Sequence, residues 1–110
     1  MEARLPAQLE VTALIRLAQA EGGFAAVLHR GEREAGTILV VILKHGANAA
    51  LYERMPTIDG SRQWHCARVQ DADNPAEFSD YLTRRGQQDP DSWIVELDVP
   101  HGERLIGLAG

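Results

Sequence analysis

The chain reads as an α+β domain, and three observations carry that reading. An amphipathic helical stretch opens it at residues 6–21. Four short strand-like segments follow between tight turns, and a second helix signal then precedes one cleanly alternating strand. The expected order is α-β-β-β-β-α-β, with a short extra strand at the end. The natural packing is a two-layer sandwich, a mostly antiparallel sheet with both helices on one face. At 110 residues the chain has room for a single domain spanning 1–110, large enough to fold without disulfide staples.

Residues 6–21 place Gln8, Thr12, Arg16 and Gln19 in one polar sector at about 100° per residue, with Val11, Leu14, Ile15 and Ala18 opposite. Gly22-Gly23 ends this helix as a C-terminal cap. Residues 24–30 form the first strand. Residues 37–43 are aliphatic on both alternating faces, so this strand is expected in the interior of the sheet. Residues 49–55 and 62–69 are more polar and belong nearer an edge. The connections are short: 31–36, His45-Gly46-Ala47, and a loop carrying Asp59-Gly60. Each reads as a hairpin turn.

Asn74 caps the second helix, Pro75 takes its first position, and Glu77 completes a capping box. Phe78, Tyr81 and Leu82 form its apolar stripe, and Gly86 stops it. In the next strand Trp93, Val95, Leu97 and Val99 share a dry face; Ile94, Glu96 and Asp98 share a wetter one. Pro100-His101-Gly102 turns the chain, and 105–108 pairs back as the final strand.

Composition narrows the function classes. Fifteen Ala and ten Gly against two each of Phe, Trp and Tyr give a finely divided core with few large anchors. A net charge of −5 argues against a general nucleic-acid binder. The charge is uneven: residues 1–69 hold eight bases and seven acids, and residues 70–110 hold three bases and nine acids. No run approaches the ~18 apolar residues of a membrane span. Residues 13–20 imitate a signal-peptide core, but Glu10 precedes them and Arg16 interrupts them, so a cytoplasmic protein with no membrane partner is expected. The lone cysteine excludes an internal disulfide.

Arg16, Gly22-Gly23-Phe24, Arg30-Gly31, Ala35-Gly36 and Asp89-Pro90-Asp91 with Trp93, Val95 and Glu96 form a set. In these segments the chain resembles a small bacterial family of conserved hypothetical proteins, a domain of unknown function of about this length. The resemblance runs from the first helix to the last long strand and is strongest at 89–96. It implies a single-domain cytoplasmic bacterial protein and assigns no catalytic residue, cofactor or partner.

Asp89, Asp91, Glu96 and Asp98 are the most suggestive constellation, since oxygen ligands suit Mg²⁺. Pro90-Asp91 followed by Glu96-Leu97-Asp98 also approaches a Pro-Asp…Glu-x-Lys nuclease signature. Asp98 occupies the lysine's place, however, so the charge stabiliser is missing. The structural alternative has Asp89 and Asp91 making Asx-type turns around Pro90, with Glu96 and Asp98 facing solvent. His65 and Cys66 are neighbours on a strand and point to opposite faces, so they form no dyad, and Cys66 reads as a structural residue. The four histidines lack zinc-ligand spacing.

Arginines bind carboxylates and phosphates well. Arg16 and Arg30 are expected either to pair with Asp89, Asp91 or Glu96 or to hold a ligand. The candidate ligand-binding residues are therefore Arg16, Arg30, Asp89, Asp91 and Glu96, with no catalytic residue, metal or cofactor assigned. The favoured function is a non-enzymatic binding or protein-interaction module, with a homodimer and an unknown protein or small molecule as partners. The alternative is a small metal-dependent hydrolase using the Asp89, Asp91 and Glu96 carboxylates.

Overall fold

The computed structural model describes residues 5–56 and 58–109. Helix α1 (Ala7–Ala20) buries Ala7, Val11, Leu14 and Ala18, a stripe at the helical period. It ends in a Schellman motif. Gly23 N–H donates to the Ala18 carbonyl and Gly22 N–H to that of Gln19, and Gly22 takes the left-handed φ of 78° that the motif requires. Strands β1 (Phe24–His29), β2 (Ile38–Lys44), β3 (Ala47–Pro56) and β4 (Arg62–Val69) follow; then come helix α2 (Pro75–Gln88), strand β5 (Trp93–Asp98) and helix α3 (Gly102–Ala109). The sheet order is β1-β5-β2-β3-β4, with β2 central as its two aliphatic faces demand.

The turn between β2 and β3 is a two-residue loop, His45-Gly46, with φ of 53° and 75°, as a type I′ hairpin needs. Both turn N–H groups donate to the Asp98 carboxylate, at 2.8 and 2.7 Å. Asp98 therefore clamps a turn, where the pattern had it facing water. The connection at 31–36 is no hairpin. β5 inserts between β1 and β2, antiparallel to the first and parallel to the second.

The α+β sandwich, its mostly antiparallel sheet and its element order through β5 are as expected, with one difference in layering. α1 and α3 pack on Ile38, Val40, Ile42, Trp93, Val95 and Leu97, whereas α2 sets Phe78 and Leu82 on the opposite face against Leu39, Val41, Leu51 and Ile94. β2 is apolar on both alternations and β5 adds Ile94 to the second face, so each face needs a cover, and the helices divide between them. The final segment is a helix rather than a strand. Adjacent Leu105 and Ile106 both join the cluster on the α1 face, whereas successive strand residues point to opposite faces, and Gly102 lets its backbone approach Ile42.

Two local signals in α2 are answered differently. Asn74 makes no side-chain cap, and Glu77 pairs with Arg68 instead of closing a capping box. Gly86 lies inside the helix; Pro90 and Asp89 end it. Among the described residues no helix is long and apolar enough to cross a membrane.

Candidate functional site: a cavity beside α2

The register between β1 and β5 steps from Val27 opposite Val95 to His29 opposite Ile94. Leu28 is the extra residue, and this bulge turns both Leu28 and His29 toward the α2 side. The His29 ring lies on the backbone of Gly86, where an added Cβ would come within 2.7 Å of it. That close approach explains a buried glycine in a helix interior. His29 Nδ1 is 2.7 Å from the Ser92 carbonyl. A carbonyl only accepts, so Nδ1 carries the hydrogen.

α2 crosses the sheet diagonally. Glu77 ties its start to Arg68 on β4, Arg85 donates to Glu53 on β3 at 2.6 Å, and Gly86 rests on His29 at the end of β1. That path leaves a corner of the sheet bare. A cavity of about 590 Å³ opens there, within the range of small-molecule sites. Leu28, Val41, Leu43, Phe78 and Ile94 give it an apolar wall, with His29 and Glu96 as its titratable groups. Glu96 is half-buried and has no hydrogen-bond or ion-pair partner among the described residues. Burial pushes its carboxyl pKa above the ordinary value, and the neighbouring Asp98 charge adds to that shift.

The remaining sequence candidates stand elsewhere. Arg16 is exposed on α1, across the sheet from the cavity, and Arg30 lies 5.9 Å from the centroid of the Trp93 ring. Neither pairs with Asp89, Asp91 or Glu96. Other arginines form ion pairs with different acids: Arg54 with Glu10, Arg68 with Glu77 and Arg85 with Glu53.

Asp89 and Asp91 belong to a structural lock. Asp89 Oδ2 accepts the hydroxyl of buried Ser92 at 2.7 Å, and the Asp91 carbonyl accepts Glu32 N–H at 2.9 Å. Gly31 and Gly36 press against that same carbonyl, leaving no room for a Cβ at either position. Trp93 Nε1 donates to the Glu32 carbonyl at 2.8 Å. Arg30-Gly31, Gly36 and the 89–93 turn, scattered in sequence, thus meet at one joint. That joint also supplies the carbonyl that aims His29.

No three His, Cys, Asp or Glu side chains among the described residues converge as a metal ion would require. Cys66 is exposed rather than packed in the core. Of the site residues named, only Glu96 was a sequence candidate; Leu28, His29, Val41, Leu43, Phe78 and Ile94 were not. A bulge and the path of a distant helix put them together, and neither leaves a local signal.

Residues 5–107 match the family model described as "Protein of unknown function (DUF1491)". A crystal structure of a DUF1491 family protein from Caulobacter crescentus CB15 is 31% identical, with a TM-score of 0.79 over 93% of this chain and 94% of that one. An NMR structure of a DUF1491 family protein from the same organism is 30% identical, with a TM-score of 0.77 over 94% of each chain. The solution structure of protein Atu0922 from A. tumefaciens is 29% identical, with a TM-score of 0.70 over 90% of this chain and 89% of that one. No curated protein matches. With a family match over nearly its whole length and the same fold in solved relatives, the chain belongs to the DUF1491 family.

Proposed function

We infer that this protein is a non-enzymatic binding module whose α2-side cavity holds a small amphipathic cation. Its apolar body would lie against Leu28, Val41, Leu43, Phe78 and Ile94, with an ammonium group at Glu96. The observation that carries the reading is the Glu96 carboxylate, partnerless among the described residues on the wall of an apolar cavity of about 590 Å³. A carboxylate drawn from water without a partner is unfavourable, and a cationic ligand would relieve it. The hydrolase alternative has less support, because Asp89 and Asp91 are engaged at the 89–93 turn and stand outside the cavity wall.

The reading is of one domain acting in the cytoplasm, where an exposed free thiol such as Cys66 is at home. It takes a small molecule rather than nucleic acid, in keeping with the net charge of −5. Self-association through the open β1 edge is compatible with it.

A thermal-shift series with hexylammonium and 2-phenylethylammonium, beside the matching alcohols and carboxylates, tests the proposal. A hundredfold excess over Kd should stabilise the fold by about 2.7 kcal/mol, or roughly 10 °C for a domain of this size. Glu96→Gln should abolish the amine effect. Equal shifts from amine, alcohol and carboxylate, or no shift from any, would refute the reading.

A further inference from the structure

β1 is an edge strand whose bulge, at Leu28 near its end, leaves the stretch from Phe24 to Val27 regular. Its six residues, Phe24 to His29, include no Asp, Glu, Lys or Arg, although open edges are ordinarily guarded by charges, proline or cover. The opposite edge, β4, carries Arg62 and Arg68. Beside Ala26, the exposed side chains of β1 are large and apolar: Phe24 is 77% exposed, Leu28 47% and Val27 40%. Phe24 projects on the α2 side, opposite Asp98, and Leu28 stands at the rim of the cavity on the same side.

Two copies of one strand can pair antiparallel about a two-fold axis normal to the sheet only in registers where opposed residues share a face. Centring the pair on Ala26 sets Phe24 against Leu28 of the second copy on the α2 side, and Ala25 against its Val27 on the other. Charge fits the same arrangement. The start of β1 lies beside Glu21 and Asp98, and its end lies beside Arg30. An antiparallel copy brings each acidic end to a basic one.

We propose that β1 is the interface between two copies of this chain, paired antiparallel about Ala26, so that Phe24 of each copy packs on Leu28 of the other and walls the rim of its α2 cavity. The interface stands without any ligand; the part Phe24 plays at the cavity rests on that cavity being a binding site.

Light scattering after size exclusion on the full chain, at about 100 and 10 μM, should return twice the chain mass of 12.1 kDa. Phe24→Lys and Leu28→Glu should each give the single-chain mass with the parent's circular dichroism. The double variant F24K/L28E should pair again, because each new ammonium then faces a new carboxylate of the other copy. A parent of single-chain mass at both concentrations, single variants that stay paired, or a double variant that stays single would each overturn the proposal.

A second measurement needs no disruptive substitution. Ala26→Cys in a Cys66→Ser background should oxidise to a disulfide-linked dimer, since residues opposed across an antiparallel pair lie within disulfide reach; failure to crosslink would overturn the register. The amine series separates the two readings. A parent that pairs but binds no amine leaves the interface standing and removes the ligand. An F24K monomer that binds amine as tightly as the parent removes the walling role alone.

Discussion

Glu96 and Gly86 show how single residues are held away from their ordinary chemistry. The Glu96 carboxyl is raised from the ordinary 4.5 by burial first and by Asp98 second. Between pH 4.5 and that raised value the folded protein binds more protons than the unfolded chain, so this group lowers stability as pH rises through the window. Glu96→Gln should therefore melt above the parent at about pH 7 and match it at about pH 4, while losing the amine ligand; paired melts at the two pH values check this. A gain in stability that accompanies a loss of binding is the mark of a residue kept for a site. Gly86→Ala would normally strengthen a helix interior by about 1 kcal/mol. Here the new Cβ would lie 2.7 Å from the His29 ring, so a net loss of about 1–3 kcal/mol is expected in urea titration. His29→Ala should restore the usual gain from the glycine replacement.

At the scale of elements, the 89–93 turn separates two aspartates that look alike in sequence. Ser92 is 2% exposed, and its hydroxyl depends on Asp89. Asp89→Ala should cost about 1–3 kcal/mol, the penalty of a buried polar group left unpaired. Asp91 contributes its backbone carbonyl, and its side chain makes no hydrogen bond to a described residue, so Asp91→Ala should stay within about 0.5 kcal/mol. Melting curves of the two variants decide the matter.

What the sequence discloses divides along the same line between local and distant causes. The Schellman end of α1, the His45-Gly46 turn and the interior β2 were legible because neighbouring residues dictate them. The insertion of β5 beside β2, the two-sided layering and the bulge at Leu28 were not, because partners far apart in the chain decide them. Glu96 was legible as a candidate through its motif. The cavity that gives it meaning depends on where α2 crosses. Gly86 misled for the same reason, since its cause is an imidazole on another element.

Across the whole molecule the two faces of the sheet are unequally sealed. α1 and α3 close one face with a larger apolar cluster that includes Trp93, while α2 rests on fewer buried side chains beside an open cavity. Few buried contacts mean a low free energy of local opening. Amide exchange should therefore be faster in α2 than in the middle of α1, and the amine ligand should slow α2 selectively. Uniform exchange rates read by mass spectrometry would show that the two faces open together.

The place of β5 also sets a timetable for synthesis. Phe24 pairs with Asp98 and Ala25 with Leu97, so β1 has no strand to join until the chain has been made through Asp98. At roughly 5–20 residues per second, the nascent chain would carry an uncharged, apolar strand without its partner for several seconds. On the ribosome the exposed segment is therefore the one that later forms the outer edge of the finished sheet, and no charge of its own guards it during that interval.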